Sequence, residues 1–130
     1  MFHDVFGDVV FKHSWRGKDE IQLWGEDYEI TVNADANRKS ELISDEQEMA
    51  YAGFKRSRPE KQKQIESMLS DYYGNRMDAG MLRHQLTPKT LVIERGGGVA
   101  LLLQDREGRG NGLAVVLSPD EDVMTQDEYL

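Results

Sequence analysis

Histidine is the side chain best suited to proton transfer at neutral pH, and the chain carries three: His3, His13 and His84. None stands at a ligand-like spacing from another. His13 precedes Ser14, but neighbouring side chains on a strand point to opposite faces, so a Ser/His dyad is not expected and His13 reads as a strand-end residue. Glycine gives a second lead, in Gly96–Gly98 and in Gly108, Gly110 and Gly112. A phosphate cradle needs backbone amides converging at a helix start, whereas both clusters lead into apolar, strand-like runs and lack a Gly-Lys-Ser/Thr ending. They predict tight turns. Carboxylates are the third lead: Asp105 and Glu107 flank Arg106, and Asp120, Glu121 and Asp122 follow Pro119. Neither group has the regular ligand spacing, internal glycine and closing Glu of a calcium loop. The expectation is no metal, no cofactor and no catalytic residue. A small hydrolase working through Asp105 and Glu107 stands as a third reading.

The strongest pattern is electrostatic. The net charge is −8, and it is concentrated at the ends: residues 1–33 carry seven acids against three bases, residues 90–130 eight against three, and the middle is close to neutral. From Ser118 to Leu130 there are five acids, Asp120, Glu121, Asp122, Asp127 and Glu128, and no base. Val123, Met124, Tyr129 and Leu130 interleave apolar groups among them, which a purely solvating tail does not require. Part of this segment is therefore expected to dock on the fold. Such a surface attracts basic partners and repels nucleic acid and anionic membrane. Phe11, Trp15, Trp24 and Tyr28 have Asp19, Glu20, Glu26, Asp27 and Glu29 as neighbours, so core packing explains them better than base stacking. The basic stretch Lys55, Arg56, Arg58, Lys61 and Lys63 reads as a solvated helix junction, or as a face for a second copy.

These residues must be positioned by an ordinary domain. At 130 residues, 38% apolar and 31% charged, the chain matches one globular unit, residues 1–130, with enough core to fold without a staple. It has no cysteine, which excludes disulfides, thiolate metal sites and thiol nucleophiles. Met1 to Phe11 is interrupted by Asp4 and Asp8 and does not read as a signal peptide, and Val99–Leu103 is too short to span a bilayer. Cytoplasmic residence is the expectation.

Two β-rich ends flank a helical middle. Val5–Phe11, Glu20–Trp24 and Tyr28–Val32 read as three strands, with turns at Gly17–Lys18 and Gly25–Asp27. Ser44 with Gln47 forms a capping-box pattern that predicts a helix from Asp45 to about Lys55. Pro59 suits the first turn of a second helix, whose Ile65, Met68, Leu69, Tyr72 and Tyr73 recur with helical period before Gly74. Residues 75–88 show no clean period and read as a loop or short helical turn. Thr90–Glu94, Val99–Leu103 and Leu113–Leu117 read as three more strands, buried on both faces. The predicted fold is α+β: an antiparallel sheet of about six strands in the order βββ-αα-βββ, with two helices packed on one face.

The motifs Phe6-Gly7, Ile21-x-Leu23-x-Gly25, Ser44-x-x-Gln47, Ala50-Tyr51-x-x-Phe54, Tyr72-Tyr73, Ala100-Leu101-Leu102 and Gln126-Asp127-x-x-Leu130 run through most of the chain. In these the sequence resembles a family of small uncharacterised bacterial proteins, a domain of unknown function associated with polymorphic and contact-dependent toxin immunity. The resemblance implies an immunity-type binding protein that neutralises a basic toxin, a nuclease above all. A monomer or weak homodimer is the expected state. In that role Asp120, Glu121, Asp122, Asp127 and Glu128 would steer the cognate toxin and Tyr129 would anchor it. An uncharacterised structural or regulatory interaction module is the alternative.

Overall fold

The computed structural model describes residues 1–130. The first apolar stretch does not form one strand. Val5–Phe11 breaks into β2 (Gly7–Asp8) and β3 (Val10–Phe11), and β1 (Phe2–His3), which precedes it, closes a small hairpin with β2. Hydrophobicity marks the stretch, but His3 Nδ1 accepts from the amides of Val5 and Phe6 at 3.0 and 3.2 Å and folds it on itself. β4 (Trp15–Leu23) and β5 (Glu26–Ala34) are nine residues each, longer than their apolar cores suggest. They meet at Trp24 and Gly25, both with positive φ, as the right-handed strand twist requires of a two-residue hairpin. The turn expected at Gly17–Lys18 is absent. Gly17 lies inside β4, where a Cβ would sit 3.2 and 3.3 Å from the Phe6 and Asp8 carbonyl oxygens, so this glycine admits a close backbone approach.

The helical middle follows local chemistry closely. α1 (Asp45–Arg56) starts at a complete capping box, with Ser44 Oγ accepting from Gln47 N at 3.1 Å and Gln47 Oε1 from Ser44 N at 2.9 Å. α2 (Arg58–Tyr72) has Pro59 in its first turn and buries Ile65 and Leu69. A third helix, α3 (Ala79–Gln85), fills half of the stretch that lacks clean periodicity; Asp78 caps it through Met81 N at 2.9 Å. β6 (Leu86–Ile93), β7 (Val99–Asp105) and β8 (Leu113–Ser118) follow, then β9 (Asp122–Thr125) and a single helical turn, α4 (Gln126–Tyr129).

One sheet of seven strands runs in chain order from β3 to β9. The mixed α+β class is as expected. The six-stranded, wholly antiparallel sheet and the βββ-αα-βββ order are corrected: there are seven strands in that sheet and a third helix, and β5 pairs with β6 in parallel, Thr31 opposite Thr90 through Ala34 opposite Ile93. Three helices between β5 and β6 carry the chain back along the sheet, the long crossover that a parallel pair needs.

Side chains alternate across the strands, so each face can be named. Ile21, Leu23, Ile30, Val32, Leu91, Ile93, Leu101, Leu103 and Val115 point to one face. There they join Tyr51, Phe54, Ile65, Leu69 and Leu82 of the helices in one core cluster of 24 residues, which contains every layer from Phe6 to Leu117. Val92, Ala100 and Ala114 are also buried but lie on the opposite face, outside that cluster. That second face has no helix layer of its own. The C-terminal segment crosses part of it.

Candidate functional site

The acidic C-terminal segment is folded in place. The Gln126 amide donates to the Gly112 carbonyl at 2.9 Å, which fixes the hydrogen-bonding phase of the β8–β9 ladder: Met124 and Asp122 bond inward to β8, while the amides of Val123 and Thr125 point off the sheet edge. Both outward amides are taken by carboxylates. Asp122 accepts from Val123 N at 2.8 Å, and Glu128 accepts from Thr125 N at 3.1 Å within the capping box that starts α4. Asp127 accepts from Asn111 Nδ2 at 2.7 Å. The five acids are all exposed and none is in an ion pair, but only Asp120 and Glu121 make no hydrogen bond to the rest of the chain. Sequence reasoning treated the five alike; three also hold the segment together.

Tyr129 turns inward across the open sheet face. Its hydroxyl donates to Glu94 Oε2 at 2.5 Å, and burial, followed by that bond and the charges of Glu94 and Asp35, pushes the phenol well above its usual range. Between Tyr129, Leu130 and β4 lies a groove of about 500 Å³, floored by Thr31, Asn33, Thr90, Val92 and Leu102 and bordered by Arg16, Asp35 and Glu94. Asp35 and Glu94 directly follow the parallel strands β5 and β6. Burial, and then the charge of Glu94, raises the Asp35 carboxyl above its ordinary value. Neither acid has a basic side chain within ion-pair distance.

Gln47 holds the two strand ends that carry this pair. It is fully buried, and its Nε2 donates to the Asp35 carbonyl at 2.9 Å and to the Ile93 carbonyl at 3.0 Å. Its Oε1 accepts from Arg95 Nη1 at 3.2 Å as well as from Ser44 N, so every polar position of the amide is used. The capping-box pattern locates Gln47 in the sequence; its tie to both strands is visible only in three dimensions.

The remaining chemistry-bearing residues are engaged structurally. Asp105 is buried and accepts from Gln85 Nε2 and, at 3.0 Å, from Glu107 N, while Glu107 is exposed and pairs with Arg109. His3 Nε2 meets Glu48 at 3.1 Å, and His84 contacts Arg106. His13 is exposed with positive φ, and Ser14 beside it is buried and donates to Asn33 Oδ1, away from any histidine. Gly108, Gly110 and Gly112 all have positive φ around a short 3₁₀ turn that leads into β8. In the basic stretch, Lys55 donates to the Val5 carbonyl at 2.5 Å. Arg58 donates to the Glu20 carbonyl at 2.5 Å and to Asp19 at 2.8 Å. Burial alone would raise the Asp19 carboxyl, but bonds from Arg58, Tyr51 and the Glu20 amide hold it below its ordinary value.

No protein-family model, curated protein or solved structure matches this chain. No helix is long and apolar enough to cross a membrane.

Proposed function

We propose that the protein is a binding module whose acidic C-terminal face receives a basic protein partner. The observation that carries this reading is a docked segment holding five exposed carboxylates with no ion pair among them. Asp122, Asp127 and Glu128 are held by hydrogen bonds, and charges on a docked segment favour encounter, because opposite fields speed diffusional association and less ordering is lost on binding. Neutralisation of a basic toxin, a nuclease in particular, by an immunity-type mechanism in the cytoplasm is the specific form of the proposal. A regulatory interaction module would use the same surface for a different basic protein. Neither reading requires a bond to be broken.

The experiment is co-purification with the product of the adjacent gene, followed by stopped-flow association at two salt concentrations. Reversal of Asp120 and Glu121 to Lys leaves Asp122, Asp127 and Glu128, which hold the segment in place, intact. Association of this variant should slow by about tenfold or more at low salt and lose most of its salt dependence. Unchanged kinetics would remove the C-terminal face from the interface.

A further inference from the structure

We infer that the groove on the open sheet face is the pocket for one arginine side chain of that basic partner. This deepens the binding reading above and rests on it. Three features of the groove fit an arginine. Asp35 and Glu94 stand at one end as two carboxylates with no basic side chain within ion-pair distance. Val92 and Leu102 on the floor, with Leu130 at the side, offer apolar surface to a methylene stem. Thr31 and Thr90 supply hydroxyl groups that can accept further guanidinium N–H bonds, while Asn33 is held between Ser14 and Asp35, donating to Asp35 Oδ1 at 3.2 Å.

Arg16 is the one cation that borders the groove. It stands opposite Asn33 in the β4–β5 register and pairs with neither acid, so the acidic end is left to an incoming charge. Burial first, and then the neighbouring Glu94 charge, raises the Asp35 carboxyl in the free protein, and a guanidinium beside the two carboxylates offsets both. A planar guanidinium presents donors to two acceptors at once, which an ammonium does less well. Buried arginine anchors surrounded by a polar rim are a recurrent source of interface affinity. The exposed acids Asp120 and Glu121 would set the rate of encounter, and the groove the lifetime of the complex.

The test uses the whole protein and a blocked Gly-Arg-Gly tripeptide, titrated while backbone amide shifts are followed by NMR. Saturable shifts are expected at Thr31, Asn33, Asp35, Thr90 and Glu94. The tripeptide with citrulline in place of arginine, neutral and nearly the same shape, should give none. The double variant Asp35→Asn/Glu94→Gln should weaken arginine-peptide binding at least tenfold, while Asp120→Asn/Glu121→Gln should leave the groove shifts unchanged. Thr31→Phe, which fills the groove without altering either acid, should abolish them and guards against a folding defect in the double variant. The sign of stability also separates site from scaffold. A carboxyl with a raised folded pKa contributes stability at low pH that is lost as pH rises through that value, so Asp35→Asn should be no less stable than wild type at pH 7 while losing the peptide. Shifts confined to residues 120–128, or equal shifts with the citrulline peptide, would overturn the pocket; the first of these would leave the acidic-face reading standing.

Discussion

Gln47→Leu should cost the protein about 2–4 kcal/mol, the largest effect we expect from a substitution of nearly constant volume. The four bonds of Gln47 are not equivalent. The Ile93 carbonyl keeps a second partner in the Asp35 amide at 3.0 Å, and Arg95 keeps the Leu42 carbonyl at 2.7 Å and access to water. The Asp35 carbonyl and the Ser44 amide lose their partners at a site where Gln47 itself is fully buried, and each orphaned group costs about 1–3 kcal/mol. The apolar transfer of leucine offsets part of that sum. Urea unfolding followed by circular dichroism should show the midpoint falling by roughly 1–2 M with an unchanged slope, for a slope of about 2 kcal/mol/M. Gln47→Glu adds a sign. Its carboxylate would face two carbonyl oxygens, so its folded pKa would lie above the unfolded value. Stability is then regained as pH falls through the folded pKa and lost again as pH rises. A midpoint shift below about 0.3 M for Gln47→Leu, or no pH dependence for Gln47→Glu, would refute the clasp role and the reasoning that assigns it.

Asp19→Asn should destabilise by about 1–2 kcal/mol at pH 7, since it weakens the bonds from Arg58 and Tyr51 that tie α2 and α1 to β4. Because the folded carboxyl is held below its unfolded value of about 3.9, that contribution is present above pH 4 and lost as pH falls through the folded pKa. The difference between wild type and variant should therefore vanish in acid-denaturation curves below this range. Tyr129→Phe should cost about 1–2 kcal/mol and raise amide hydrogen exchange at Glu128 and Leu130 before any other region, because the Glu94 bond holds α4 to the sheet. Asp122→Ala/Glu128→Ala uncovers two edge amides and should produce concentration-dependent self-association in analytical ultracentrifugation, whereas Asp120→Asn/Glu121→Gln should remain unaffected; equal behaviour would show that charge alone protects the edge.

What was legible in the sequence was local. The capping box at Ser44 and Gln47, Pro59 in a first turn and the stripe through Ile65 and Leu69 rest on contacts within a turn or two, and α1 and α2 begin and end within a few residues of expectation. β4 was underestimated because Arg16, Lys18 and Glu20 project from the open face, where polarity hides a strand. β9 and α4 were missed as elements for the same reason: Asp122, Asp127 and Glu128 mask a segment whose apolar residues signalled docking. The direction of the β5–β6 pairing depends on the course of three helices, which no short window contains. The groove was invisible because Asp35 and Glu94 become neighbours only through that pairing. Their one sequence signal is position, as each is an acid just past a strand-like run.

The parallel join also bears on when the groove comes into existence. Every other strand pair in the large sheet links chain neighbours through a short connection, while Thr31 and Thr90 must meet across three helices. That closure carries the greatest entropic cost in the sheet, and it lies beneath the two carboxylates of the groove. A complete but partly unfolded chain in which this pair has opened therefore keeps its terminal charges without the groove beside them. In the role proposed above, such a chain attracts a cationic protein without the pocket that retains it, so retention would discriminate finished molecules from unfinished ones.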